Sequence, residues 1–347
     1  LLTEFDVSLF SGQKTFSASE EKNPLITYIN LDDWVKEAFY KYAALIFIGA
    51  SGIAVRAISP LVKSKQTDPA VIAMDEKAQL IVPLLSGHLG GANDLAERLS
   101  LALTSKAFVS TATDINTLLS IDSFAKKNLL CINNMDCAKK FSAALLQCRR
   151  AFISIEGKLK DFVDFEGEIP NGMLTTFTKH EVFLKCNILS KAHITFFNHT
   201  NSCNGLFLFA KCLILGIGCR KESSEIEIET FVKELFEENN LSLHSLKEIH
   251  SIDLKKCEGG IISFARKMNI PFATYSAEKL NAIQGSFSNS DFVKEVTGCD
   301  CVCERAAVAP LKKEDGNLIV KKRCKNGITL ALAIHPFAIN FGGLKSE

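Results

Sequence analysis

The chain has 347 residues, with 40 Lys+Arg against 39 Asp+Glu, and 47% of it is apolar. That length predicts two or three domains, the apolar share excludes a disordered chain, and the charge balance argues against a dedicated nucleic-acid binder, which carries a basic excess. No apolar run approaches the roughly 18–20 residues of a membrane span. No secretory signal is visible, and Leu1 is not an initiator Met, so the numbering starts inside the natural chain or after processing.

The first stretch alternates helix and strand. Asp32 to Ala44 carries apolar residues at helical spacing, and its two leading Asp suit the positive end of a helix dipole. Leu45 to Ile48 is a continuous apolar run of the buried parallel-strand kind. It opens into Gly49-Ala50-Ser51-Gly52 and a helix from Ile53 to Leu61. Val71 to Met74 and Leu80 to Val82 read as strands, and Ala92 to Thr104 as a helix. Between 115 and 210 the pattern is less regular. Phe141 to Gln147 reads as helix, Phe152 to Ile155, Val182 to Leu184 and Ile194 to Phe197 as strands, and Gly157 to Lys179 as a surface loop. A new unit starts at Cys212. Its strands are expected at Leu213 to Leu215, His250 to Ile252, Pro271 to Tyr275, Leu318 to Val320 and Ile328 to Ala333. Its helices are expected at Glu225 to Asn239, Glu258 to Met268, from Ser276 onward, at Phe292 to Thr297 and at Glu304 to Val308. The expected fold class is α/β: two open, largely parallel-sheet lobes, residues 1–114 and 211–347, joined by a smaller middle domain, 115–210, with a cleft between the lobes.

All twelve Cys lie at or after Cys131, and none forms a CxxC pair. This removes the usual zinc and thioredoxin signatures. Read as a strand, Cys299, Cys301 and Cys303 share one face at a spacing of about 7 Å. That is too long for a disulfide and awkward for one tetrahedral ion. The cysteines are therefore expected as reduced thiols in a cytoplasmic protein, with no metal site among them.

Three Gly-rich loops hold the candidate chemistry. In GASGIAVR, the N–H groups around Gly49, Ser51 and Gly52 face a helix start and suit a carboxylate or phosphate. Arg56, one turn further on, adds a bidentate cation. An ordinary tight βα turn with a solvated Arg56 fits the same pattern. In SGHLGGAND, His88 is placed for acid–base work. Ser86, Gly87, Gly90, Gly91 and Asn93 surround it at a second helix start; a histidine that merely braces the loop is the alternative. In GIGCRK, Gly216 and Gly218 repeat the strand–loop–helix logic, with Cys219, Arg220 and Lys221 beside it. Ser276 in FATYSAEK stands at a helix start and equally fits a plain N-cap. Glu304 and Arg305 in VCERAA either line a cleft or begin a solvated helix.

In this order the motifs resemble the cobalt-precorrin-5A hydrolase family of anaerobic cobalamin biosynthesis. GASGIAVRAISPLVKSKQTDPAVIAMDE and VPLLSGHLGGANDLAERL are similar to its N-terminal domain; LGIGCRKESS, SIDLK, FATYSAEKLNAI, FSNSDFVKEVTG and VCERAA are similar to its C-terminal domain. The likeness covers residues 45–114 and 212–334 and is weak between them. It implies a ring-contracted cobalt corrinoid substrate, rich in peripheral carboxylates, whose ring A acetate closes a δ-lactone with the extruded two-carbon unit. Water opens the lactone and acetaldehyde leaves, giving cobalt-precorrin-5B. The cobalt arrives inside the substrate, so no protein cofactor is expected. His88 is then the first choice for proton transfer, and Ser86 with the N–H groups of Gly87, Gly90 and Gly91 for oxyanion or carboxylate contacts. Glu304 is a candidate for a second proton step, and Arg56 and Arg220 for gripping carboxylates from the two lobes. The implied partners are the cobalt corrinoid and water, with no nucleic acid and no membrane; a homodimer is left open. A corrinoid carrier without chemistry is the alternative, but it has no use for the SGHLGGAND loop. A nicotinamide-dependent oxidoreductase would need a GxGxxG turn with an acid about 20 residues on, and neither Gly loop supplies it.

Overall fold

The computed structural model describes residues 6–12, 25–27, 30–64, 67–87, 90–110, 118–169, 173–198, 205–310 and 318–341. It divides into two compact units, Leu1–Ser123 and Phe124–Glu347. No described helix is long and apolar enough to cross a membrane.

The first unit contains β1 (Leu9–Ser11), β2 (Leu25–Thr27), α1 (Leu31–Lys41), β3 (Ala44–Ile48), α2 (Ser51–Ile58), β4 (Ala70–Met74), β5 (Leu80–Leu85), α3 (Ala92–Leu103) and β6 (Lys106–Ala107). Helix α1 begins where the Asn30 side chain accepts the Asp32 N–H. Its Val35, Ala38 and Phe39, spaced three to four apart, bury one stripe against Leu45, Ala57, Ile58 and Val71. The main sheet has the order β3-β4-β5-β6. Strand β5 runs antiparallel to β4, against the parallel expectation. The turn between them is too short for a crossover helix, and the Asp75 carboxylate ties it by accepting the N–H groups of Lys77, Gln79 and Leu80. Helix α3 packs over β4, β5 and β6. It leaves Ile46 and Ile48, on the edge strand β3, exposed.

The second unit carries two five-stranded sheets. After α4 (Ile121–Lys127), which straddles the boundary between units, come β7 (Leu130–Ile132), α5 (Met135–Cys148), β8 (Ala151–Glu156), β9 (Val163–Glu166), β10 (Met173–Thr178), α6 (His180–Lys185), β11 (Lys191–Thr195) and β12 (Leu206–Ala210). The middle sheet has the order β10-β8-β11-β12-β7 and is parallel except for β7. Two expectations fail here. Val182 to Leu184 lies within the helix α6; a three-residue apolar run cannot distinguish the two periods. The expected loop 157–179 contains β9 and β10.

The C-terminal part follows with β13 (Leu213–Cys219), α7 (Glu225–Glu238), β14 (Leu246–Ile252), α8 (Gly259–Met268), β15 (Phe272–Tyr275), α9 (Ala277–Asn281), α10 (Asp291–Thr297), α11 (Val302–Val308), β16 (Leu318–Lys325), β17 (Ile328–Ile334) and β18 (Phe337–Asn340). Its sheet has the order β15-β14-β13-β17-β16. Strands β13 to β15 are parallel and the β16–β17 hairpin is antiparallel. The two α/β sheets expected at the chain's ends are thus present, and a third sheet stands between them in sequence.

The last strand does not join its own sheet. β18 pairs in parallel with β9 of the middle region. Asn128 clamps it from both sides, accepting the Asn340 N–H at 2.6 Å and donating to the Asn340 carbonyl at 3.2 Å. Phe341 is 1% exposed and stacks on Phe124 at 5.5 Å. Phe341→Ala is expected to lower the stability of the second unit by about 3–5 kcal/mol, read as a lower urea midpoint of the transition that reports it.

Candidate active-site loops

The first loop is open. Gly49 adopts φ +141° and donates its N–H to the Met74 carbonyl. The next residue, Ala50, is the N-cap of α2 and brings no side-chain acceptor. The first-turn N–H groups at Ser51 and Gly52 therefore lack a capping partner, and both residues are exposed. Nothing lies within 4 Å of where a Cβ would project from Gly49 or Gly52. Arg56 is exposed one turn later and pairs with no described carboxylate. Ile48 and Ile53, 67% and 50% exposed, flank the loop with apolar surface.

The second loop is closed on itself, at least where it is described; His88 and Leu89 lie outside the described residues. Ser86 is buried at φ +56°, and its hydroxyl donates to the Asp68 carbonyl at 2.9 Å. The Ser86 and Gly87 carbonyls accept the N–H groups of Ala92 and Asn93. Gly91, at φ +86°, is the N-cap. Asn93 is buried and lies against Gly87, where a Cβ would stand 2.7 Å from its Oδ1. A Cβ on Gly90 would lie 2.3 Å from that of Ser86, so the run of glycines is what lets the chain fold back. Of the donors at this helix start, the Ala92 and Asn93 N–H groups are taken by the loop's own carbonyls.

The third loop is a packing motif. Gly216 and Gly218 are ladder residues of β13, paired with Ala331 and Thr329. A Cβ on Gly216 would fall 1.8 Å from the Cys303 carbonyl oxygen; the glycine is there so that α11 can lie on the sheet. Cys219 is half-buried, and burial pushes its thiol up, away from a reactive thiolate. Arg220 lies across Gly327 and donates to the Asn326 carbonyl at 2.7 Å. Lys221 is exposed. The helix that follows is closed by a Ser224–Glu227 capping box, which corrects the expectation of free donors beside Arg220. Ser276 is a plain cap, accepting the Lys279 N–H.

Glu304 does not line a cleft. It is 0% exposed. It accepts hydrogen bonds from the Ser288 N–H and hydroxyl, the Lys322 N–H and the Cys301 thiol. Burial pushes its carboxyl up, but the donors, led by Lys322 and Ser288, outweigh that and hold it below the ordinary range. It braces α11 against β16 and the preceding loop. Arg305 beside it is also held within the protein, by Asp300 and the Ile283 carbonyl. Cys299, Cys301 and Cys303 are all buried and do not form a strand: Cys301 caps α11 and Cys303 lies within it. Eleven described cysteines are free. No group of three or more His, Cys, Asp or Glu is placed to hold a metal ion among the described residues.

Two buried histidines are not singled out by the sequence: His193, whose Nδ1 lies 2.8 Å from the Ser154 hydroxyl, and His250. His250 is fully buried on β14, and its Nε2 lies 2.9 Å from a Glu248 carboxylate oxygen. The Tyr275 ring stands nearly perpendicular to the imidazole, with the ring centres 5.4 Å apart. Burial pushes His250 down, Glu248 pulls it partly back, and His335 adds to the fall. The only sequence signal was alternation: Glu248, His250 and Ile252 share one face of a strand.

Two outcomes follow. Gly216→Ala is expected to cost more than about 3 kcal/mol or to abolish folding, because the clash is with backbone. Gly52→Ala, with open space above it, stays within about 0.5 kcal/mol of the parent; urea midpoints distinguish the two. Second, His250 is neutral in the fold at a pH where the unfolded chain already binds a proton. Its contribution is thus present above about pH 6.5 and is lost as pH falls toward its lower folded value. Thermal midpoints measured from about pH 7.5 down to about pH 5.5 should fall more for the parent than for His250→Gln.

The model of the family described as "Cobalamin synthesis G N-terminal" matches residues 33–114, and that of "Cobalamin synthesis G C-terminus" matches residues 213–333. The cobalt-precorrin-5A hydrolase of Salmonella typhimurium is 31% identical over 303 residues, covering 86% of this chain and 84% of the relative. The protein of the same name from Priestia megaterium is 31% identical over 304 residues, covering 86% and 80%. A crystal structure of a putative cobalamin biosynthesis protein G homolog from Sulfolobus solfataricus is 25% identical, covering 90% of this chain and 89% of that one, with a TM-score of 0.35. With both family models matched in order and such identity over most of both chains, this chain belongs to the cobalt-precorrin-5A hydrolase family.

Proposed function

We propose that the chain opens the δ-lactone of cobalt-precorrin-5A and releases the two-carbon unit as acetaldehyde. The observation that carries the site assignment is the uncapped start of α2. Unpaired N–H groups at Ser51 and Gly52, an unpaired Arg56 and the exposed Ile48 and Ile53 stand together. An apolar macrocycle rimmed with carboxylates needs that combination. Family membership supports the reaction itself, since the Salmonella typhimurium and Priestia megaterium relatives carry the hydrolase name.

The chemistry runs in two steps. Water adds to the lactone carbonyl as a base takes its proton, and N–H donors hold the oxyanion. The ring C–O bond breaks, leaving a carboxylate and a secondary alcohol. A base then removes the alcohol proton. The C–C bond to the macrocycle breaks in a retro-aldol sense, its electron pair enters the conjugated ring, a proton later quenches the ring, and acetaldehyde departs. His88, in the SGHLGGAND loop, is the proposed proton carrier. The hydroxyl hydrogen of Ser86 is held by Asp68, so Ser86 serves in shaping that loop. Glu304 is withdrawn as the second base, because its carboxylate is buried and fully bonded.

The test is anaerobic incubation with the lactone corrinoid, assaying acetaldehyde. His88→Ala should cut turnover by about 10²–10⁴-fold with binding retained. Arg56→Ala should weaken binding more than it slows the chemical step, since a peripheral contact is equal in ground and transition states. Normal turnover by His88→Ala would move the proton step elsewhere.

A further inference from the structure

The SGHLGGAND loop is fastened to the body of the first unit through Ser86, and the residue that holds Ser86 has no assigned task. Asp68 lies eighteen positions earlier in the chain and is buried. Its carboxylate accepts the N–H groups of Lys63 and Ser64, at 2.8 and 2.9 Å. Its own N–H donates to the Ser64 carbonyl at 2.9 Å. Pro69 follows and disfavours the helical conformation at Asp68. The Asp68 carbonyl is thus aimed by three hydrogen bonds and a proline ring, and it accepts the Ser86 hydroxyl at 2.9 Å.

Ser86 fastens both ends of the loop. On the exit side its carbonyl accepts the Ala92 N–H, and the neighbouring Gly87 carbonyl accepts that of Asn93. Gly90 passes so close that a Cβ there would meet the Ser86 Cβ at 2.3 Å. Residues 88 and 89 are all that the chain places between Gly87 and Gly90. Ser86 itself takes the left-handed conformation, at φ +56°, which strains an L-residue and leaves glycine unstrained. The loop uses glycine at 87, 90 and 91. A glycine at 86 would relieve the strain and lose only the hydroxyl. What serine adds at this position is therefore its bond to Asp68. Strain retained for one buried hydrogen bond, two residues before the proposed proton carrier, points to placement as the work of that bond.

We propose that Asp68 is a positioning residue for the reaction: its carbonyl holds Ser86, and through Ser86 it sets the place of the loop that carries His88. The catalytic half of this inference rests on the function proposed above. Asp68 acts through Ser86 and needs no contact with the substrate. The substrate's proposed grip, at the start of α2 and at Arg56, is a separate element, so loosening the clamp leaves ground-state binding in place.

The full chain and its variants are assayed for acetaldehyde release, and hydrogen exchange is followed over residues 90–95. Ser86→Gly keeps the backbone conformation and deletes the hydroxyl. Asp68→Ala frees the Lys63 and Ser64 N–H groups and with them the aim of the carbonyl; Asp68→Asn restores an acceptor of the same shape. Ser86→Gly and Asp68→Ala should each lower kcat by about ten- to a hundredfold, the scale of a misplaced catalytic group. KM should stay within about threefold, because the loss falls on the transition state. Asp68→Asn should recover most of the rate. The double variant should be no slower than the slower single variant, since both cut the same link. Exchange at the Ala92 and Asn93 N–H groups should quicken in both single variants. A kcat for Ser86→Gly within about twofold of the parent, or losses that multiply in the double variant, would overturn the proposal. If Asp68→Ala does not fold, Ser86→Gly against the parent decides, because it relieves strain as it removes the bond. The two readouts separate this inference from the function. A parent that releases no acetaldehyde removes the proposed reaction, and exchange that quickens in Ser86→Gly still establishes the clamp. A parent that releases it, with exchange and kcat unchanged in Ser86→Gly, removes the clamp alone.

Discussion

The second unit depends on a contact with no room in it. Helix α11 sits so low on β13 that the Cys303 carbonyl occupies the place of a Gly216 side chain. At that height the Glu304 carboxylate reaches the Lys322 N–H on β16 and Ser288 in the preceding loop. A buried carboxylate is tolerable only when its oxygens are bonded, and here donors from three segments converge on it. Cys301, Cys303, Ala307 and Val308 then close over Ala331 and Ala333. The small side chains beneath the helix and the charge at its start are parts of one arrangement.

The three Gly-rich motifs read alike, and the fold separates them by one physical question: who occupies the donors at the helix start. At α7 a serine and a glutamate do. At α3 the carbonyls of Ser86 and Gly87 do. At α2 an alanine stands where a capping side chain would be. A missing cap costs about 1 kcal/mol in a typical helix, and an anionic ligand placed there offsets it. Of the three helix starts, only that of α2 is left without a capping side chain or a loop carbonyl on its first turn.

Much of this was legible. The strands at Leu45 to Ile48 and Val71 to Met74, and the helix at Ala92, were readable because each is a contiguous run with one dominant period. β9 was not, because its residues Val163–Glu166 expose all but the first side chain, and its partner β18 lies at the far end of the sequence. The motif residues were found, but not their roles. GxG looks the same whether the missing side chains make way for a ligand or for a helix, and only the distance from Gly216 to Cys303 distinguishes the cases. Glu304 misled for a related reason: a carboxylate at a helix start is ordinarily solvated, and nothing local shows that Lys322 and Ser288 will enclose it.

The clamp between Asn128 and Asn340 joins residues 212 positions apart. On a ribosome the chain emerges from its N-terminus, so β9 waits with an open edge until synthesis has passed β18. Contacts of such sequence separation form late and slowly. An unpaired strand edge in the meantime is an invitation to another nascent chain. The like charges Asp161, Asp164, Glu166 and Glu168 along that stretch would keep neighbouring chains apart during the wait. The vulnerable moment of this protein is thus in its synthesis, and it ends when Phe341 reaches Phe124.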